Sequence, residues 1–110
     1  ASAALCLGGN IYMKSSYGQL ANEIQQNSKF WDKGTFRTKY DTLKYHLQKH
    51  GNGLTPTQYT QKANEFAAFN SSSFKYTYNY KYGNSTWFFN NMFNVGGHFT
   101  SSGLILTFWL

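Results

Sequence analysis

Phe74–Tyr82 reads FKYTYNYKY. Phe74, Tyr76, Tyr78, Tyr80 and Tyr82 put an aromatic ring at every second position, with Lys75, Thr77, Asn79 and Lys81 between them. A period of two belongs to a strand, because successive side chains of an extended chain point to opposite faces. One face is aromatic and the other polar and basic, the pattern of a half-buried strand. Before Phe74 the apolar period is that of a helix. The change of period splits the chain into a helical first part and a sheet that follows, an α+β arrangement.

Upstream, Lys39–Gly51 (KYDTLKYHLQKHG) carries Tyr40, Leu43 and Leu47 at helical spacing. This predicts one helix, closed by Gly51 in a left-handed conformation. Thr55-Pro56-Thr57-Gln58 predicts the start of another, with Thr55 as cap, Pro56 in the first turn and Gln58 completing a capping box. Tyr59, Ala63, Phe66 and Ala67 give that helix its buried face, and Asn70 with Ser71–Ser73 ends it. Tyr17–Asn27 predicts a short helix through Tyr17, Leu20, Ala21 and Ile24. The loop Asn27–Thr38 holds Phe30, Trp31 and Phe36, which are expected to pin it to the core.

Downstream, Gly83-Asn84 is expected to turn and Ser85–Asn90 to form a second strand. Asn91 begins a bend, and Met92–Val95 is a third strand that Gly96-Gly97 kinks or bulges before His98–Thr100. Ser101-Ser102-Gly103 turns into a last strand, Leu104–Leu110. There Leu104, Leu106, Phe108 and Leu110 face one way and Ile105, Thr107 and Trp109 the other. The expected plan is one domain: an N-terminal helix and loop over 1–38, two helices over 39–70, and a four-stranded antiparallel sheet over 74–110.

At 110 residues the chain builds one small core. Its 41% hydrophobic and 20% aromatic content argues against a disordered chain. The few charges are lopsided, ten Lys or Arg against four Asp or Glu, a net +6 that favours a polyanionic partner. The acids are Glu23, Asp32, Asp41 and Glu65, and none follows Glu65. The sheet half therefore offers no carboxylate cluster of the kind that holds Mg²⁺. Cys6 is the single cysteine, which rules out an internal disulfide and argues against a zinc site. No cofactor is expected. Ala1–Asn10 has an apolar patch without the basic start of a signal peptide, and the chain reads as a piece of something longer. Leu104–Leu110 is too short to span a bilayer, so stable membrane insertion is not expected.

His46 and His50 are four apart and stack on one helix face, with Lys44 and Lys49 nearby. If the tyrosine face of the first strand packs on the helices, Lys75, Thr77, Asn79 and Lys81 form the open face, and the same alternation puts Thr107 there. A helix at the sheet edge then brings His46 or His50 to them. Such a set suffices for metal-free RNA cleavage: a neutral imidazole takes the 2′-OH proton, a second His or a Lys such as Lys81 serves the leaving oxygen, and Thr107 holds a phosphate oxygen. Lys75, Thr77, Asn79, Lys49 and His98 are the candidate substrate contacts. The opposite assignment exposes the aromatic face as a platform for bases. A non-catalytic RNA- or polyanion-binding module is the first alternative to an enzyme, and a membrane-active toxin, suggested by the apolar Leu104–Leu110 end and the aromatic content, is the last-ranked one.

The chain resembles the C-terminal ribonuclease toxin domains of bacterial polymorphic toxins, of the contact-dependent inhibition and Rhs types, with a barnase/EndoU/colicin/RelE-like fold. The residues that carry the resemblance are His46-Leu47-Gln48-Lys49-His50-Gly51, Leu54-Thr55, Tyr59, Ala63-Asn64-Glu65-Phe66, Tyr82-Gly83-Asn84, Phe89-Asn90, Asn94-Val95 and Gly103–Phe108. They cover about Lys39 to Leu110. The resemblance implies catalysis by His46 or His50, a strand Lys (Lys75 or Lys81) and Thr107. Tyr45 stands where the family has a Lys before the paired histidines, and the strand Arg of many members is absent, Arg37 being the sole arginine. The resemblance further implies delivery from a cell surface as part of a larger toxin and cleavage of tRNA or rRNA in a target cytoplasm. It also implies neutralisation by an acidic immunity protein, whose charge would complement the +6.

Overall fold

A computed structural model describes residues 10–69, 74–80, 83–90 and 92–110. Three helices, α1 (Asn10–Asn27), α2 (Lys39–His50) and α3 (Pro56–Phe69), precede four strands. These are β1 (Phe74–Tyr80), β2 (Gly83–Asn90), β3 (Val95–Thr100) and β4 (Ile105–Trp109), an antiparallel meander in the order β1-β2-β3-β4. The α+β plan with helices ahead of the sheet is the one the change of period predicts.

The capping box at α3 forms as read. Thr55 Oγ1 accepts from Gln58 N–H at 3.1 Å, and Gln58 Oε1 accepts from Thr55 N–H at 3.0 Å. Glu23 adds a carboxylate at the same helix start, accepting from Thr57 N–H at 3.0 Å, where the helix dipole favours negative charge. Thr38 caps α2 by accepting from Asp41 N–H. Gly51 departs from expectation: its φ is −71°, and the left-handed conformations fall on Asn52 and Gly53. Glycine is needed at 51 because a Cβ there would run into the Leu47 carbonyl oxygen. α1 begins at Asn10 rather than Tyr17, since a helix propagates through Lys14-Ser15-Ser16 without apolar spacing to announce it.

The core is Ile24, Trp31, Leu43, Tyr59, Ala63, Phe99, Ile105 and Phe108. Phe66 and Ala67 pack against it, so α3 buries the face its spacing indicated. Tyr59 donates its hydroxyl hydrogen to the Phe108 carbonyl. Trp31 ties the loop before α2 to this core. Its backbone forms a parallel bridge to Ile105 at the β4 edge, Asp32 N–H donates to Ile105 O at 2.8 Å, and the indole N–H donates to Thr60 Oγ1 at 3.0 Å. Phe30, expected to help, is instead 39% exposed.

Several strand boundaries move. Gly83 and Asn84 pair with Tyr80 and Asn79 and belong to β2 rather than to a turn. Met92–Asn94 is a turn, not strand, because Asn90 Oδ1 accepts from Met92 and Phe93 N–H and Asn94 takes φ 54°. Gly96 and Gly97 lie within β3 and pair in regular register with β2 and β4. The irregularity falls between His98 and Phe99, where the register with β4 jumps from His98↔Thr107 to Phe99↔Ile105. This extra residue breaks the expected alternation of β4. Ile105 and Phe108 both enter the core, while Leu106 is buried beside Thr107.

The register also regroups the rows across the sheet. One row runs Tyr76–Trp87–His98–Thr107. Lys75 stands in the row to Phe108, Thr77 in the row to Ile105, and Asn79 pairs with Asn84. The expected grouping of Lys75, Thr77 and Asn79 with Thr107 is therefore corrected, because hairpin pairing sets which residues share a face and one residue of slip reverses it. Lys81 and Tyr82, Asn70–Ser73, Asn91 and Cys6 lie outside the described residues.

Two substitutions separate cap from core. In urea unfolding, Thr55→Ala is expected to cost about 1 kcal/mol. Trp31→Ala is expected to cost about 3–5 kcal/mol, because it empties a fully buried site. Equal losses would show that Trp31 does not anchor the loop.

Candidate active site

The turn signal Asp32-Lys33-Gly34 forms an Asx turn, with Asp32 Oδ1 accepting from Gly34 N–H at 2.8 Å and Gly34 at φ 55°. Lys33 sits at its tip. The Lys33 carbonyl accepts from Thr42 Oγ1 at 2.8 Å and from Phe36 N–H at 2.8 Å, so the buried Thr42 fastens this loop to α2. α2 runs beside β4, an edge strand of the sheet. Between loop, helix and edge lies a cleft of about 190 Å³. Lys33, Gly34, Thr35 and Phe36 line one side, Thr42 and His46 the helix side, and His98, Leu106 and Thr107 the sheet side. None of these residues is acidic.

His46 Nδ1 is 3.3 Å from Thr107 Oγ1, a long hydrogen bond across sixty-one positions of chain. The tautomer in which Nδ1–H donates to Thr107 leaves Nε2 as the basic nitrogen. The imidazole is held by rings on several sides: Trp31 stacks at 5.9 Å, Phe36 and Tyr45 meet it edge-on, and His50 stacks at 6.0 Å. Burial pushes its pKa down to about 4, with smaller contributions from the neighbouring charges of His50 and Lys49. His46 is therefore neutral at neutral pH.

His98 enters the same cleft from β3, opposite Thr107 in the register. Its ring is buried and stacks on Trp87 at 4.5 Å and 10°. Nε2 shares a 2.7 Å hydrogen bond with the buried Ser85 Oγ, which orients the ring. Burial lowers the His98 pKa as well. His50 is not among the cleft residues. It lies one turn beyond His46, its own pKa lowered by burial and then by Lys49. Lys49 is exposed and donates to the Tyr45 hydroxyl at 3.2 Å.

Of the residues singled out from sequence, the structure brings together His46, Thr107 and His98; His50 stacks on His46 and Lys49 meets Tyr45, and neither lines the cleft. It does not bring Lys75, Thr77 or Asn79 into the Thr107 row. Sequence reasoning missed Lys33, Thr42 and Ser85. The Asp-Lys-Gly turn was a readable signal for Lys33; Ser85 carried none, because only strand pairing puts it beside His98. Among the described residues no three His, Cys, Asp or Glu side chains gather as they would around a metal, and no helix is long and apolar enough to cross a membrane. No protein-family profile matches the chain, and no curated protein matches it.

The depressed His46 pKa has a signed consequence. Between pH 6.5 and about 4 the unfolded chain binds a proton that folded His46 refuses. Its contribution to stability is full above 6.5 and is lost as pH falls toward 4; His50 and His98 act in the same direction. NMR titration should place the His46 midpoint well below 6.5, and His50→Gln should raise it by removing a neighbouring positive charge. A His46 midpoint at or above 6.5 would contradict its half-buried, ring-lined placement.

Proposed function

We propose that this cleft is the catalytic centre of a metal-independent endoribonuclease, used as a toxin domain in competition between bacteria. The observation that carries the reading is the His46–Thr107 contact in a cleft that also holds His98 and Lys33 and no carboxylate. A ribose 2′-OH is a poor nucleophile until its proton is taken, and a half-buried neutral imidazole on the wall of the cleft supplies the base.

In the proposed reaction His46 Nε2 takes the 2′-OH proton. The 2′-oxygen bonds to phosphorus, and the bond from phosphorus to the 5′-oxygen breaks. Thr107 Oγ1 and the Lys33 ammonium steady the charge on the non-bridging oxygens. His98 protonates the departing 5′-oxygen, giving a 2′,3′-cyclic phosphate and a 5′-hydroxyl. The free protein keeps His98 neutral by burial, so the acid gains its proton when the phosphodiester enters, because a nearby negative charge raises an imidazole's pKa. His50 tunes His46 through its charge rather than touching the substrate's reacting atoms. Lys33 takes the cationic role that sequence reading gave to Lys75 or Lys81. The toxin role, a cytosolic RNA target such as tRNA and an acidic immunity partner come from the family resemblance, and the net charge supports an anionic ligand.

Incubation with total RNA in EDTA should produce ends that carry 2′,3′-cyclic phosphates. His46→Ala should lower kcat by about 10²–10⁴-fold, and Thr107→Val by on the order of 10²-fold. DNA should stay intact for lack of the 2′-OH. Salt-dependent RNA binding with no cyclic-phosphate product would leave a binding module instead.

A further inference from the structure

The core residues Phe99, Ile105 and Phe108 face the helices, so the alternate rows of the sheet form its outer face. Among its described residues that face carries three large rings beside Ser85, His98, Thr100 and Thr107. Trp87, Phe89 and Trp109 stand there partly exposed, with centroids 5.6 Å apart for Trp87–Trp109 and 6.2 Å for Phe89–Trp109. The six-membered ring of Trp109 lies against Gly96 and fills the space a Cβ would occupy. Glycine at 96 thus lets the indole settle onto the strand, where it is held before any ligand arrives. Three large, partly exposed rings thus stand side by side on the face that does not bury the core.

This patch is continuous with the cleft. Trp87 heads the row that passes through His98 to Thr107, and Trp109 is two residues beyond Thr107 on the same face of β4. A chain whose phosphate occupies the cleft would lay its neighbouring nucleosides across these rings. The local rings supply flat apolar surface, and the chain's excess of positive charge suits a phosphate backbone.

We propose that Trp109, supported by Trp87 and Phe89, is a nucleobase-stacking subsite, and that the substrate is therefore an unpaired segment of RNA running across the outer sheet face. The proposal rests on the ribonuclease reading for the position of the phosphate. Stacking needs an accessible base face, which a duplex hides between its pairs; unpaired loops and ends present it. Stacking on aromatic side chains tolerates any base, so the subsite selects single strands over duplex without fixing a sequence.

The test separates the platform from the chemistry. Binding is measured by fluorescence anisotropy with a labelled single-stranded 2′-O-methyl oligonucleotide, which cannot be cleaved, and with an abasic chain of equal length. The wild type should prefer the chain with bases, and Trp109→Ala should remove that preference through a loss of on the order of tenfold. Trp109→Phe keeps a ring over Gly96 and should retain most of it, which guards against misreading a folding defect. In cleavage assays Trp109→Ala should raise KM on single-stranded RNA with little change in kcat. Base preference unaltered by Trp109→Ala, no binding of the oligonucleotide, or loss of kcat with unchanged KM would each overturn the platform. Base-dependent binding through Trp109 without any RNA cleavage would keep the platform and remove the ribonuclease reading.

Discussion

Trp31 makes the contact on which the remaining geometry depends. It is fully buried, donates its indole hydrogen to the equally buried Thr60 on α3, stacks between Tyr59 and His46, and extends the sheet by one bridge beyond Ile105. Each hydrogen bond contributes only about 1 kcal/mol net. Removing the indole would also strand the Thr60 hydroxyl in the core without its partner, and that desolvation adds to the cavity. Through this one residue the segment between α1 and α2 is fastened to helix α3, strand β4 and helix α2 together. The Asx turn at Asp32–Gly34 follows directly in the chain and puts the exposed Lys33 on the wall of the cleft.

The same packing decides the electrostatics. Three histidines in a chain with ten basic residues and four acids meet few carboxylates that could hold them protonated. Burial acts in the same direction as the surrounding positive charge, and all three imidazoles are pushed toward the neutral form. Lys49 adds to this at His46 and His50. On the proposed ribonuclease reading, an entering phosphodiester would supply the negative charge that the lining residues lack. On that reading affinity and proton balance would be linked, since the bound group would also restore a proton to an imidazole.

The sheet divides its labour by face. Toward the helices, Phe99, Ile105 and Phe108 fill the core. On the other side, Trp87 stacks on His98, and Trp109 settles over Gly96. The register shift between His98 and Phe99 makes this possible, because it lets Ile105 and Phe108 point inward while Thr107, between them, stays in register with His98.

Local sequence determined what local physics controls. The period of two from Phe74 and the helical spacing before it gave the α+β order. Thr55 and Gln58 marked a helix start through hydrogen bonds they make within one turn, and the i, i+4 histidines placed His46 on a helix. Trp31 was readable as an anchor because a large indole in a polar loop has nowhere else to go. What local sequence did not contain was parity. Whether Thr107 shares a face with Lys75 or with Tyr76 depends on pairings across three strands and on one bulged residue, none of which a single strand's alternation records. The partners of His98 and the tip position of Lys33 in the cleft were likewise decided by tertiary structure, because they arise where segments distant in the chain are brought within hydrogen-bonding reach.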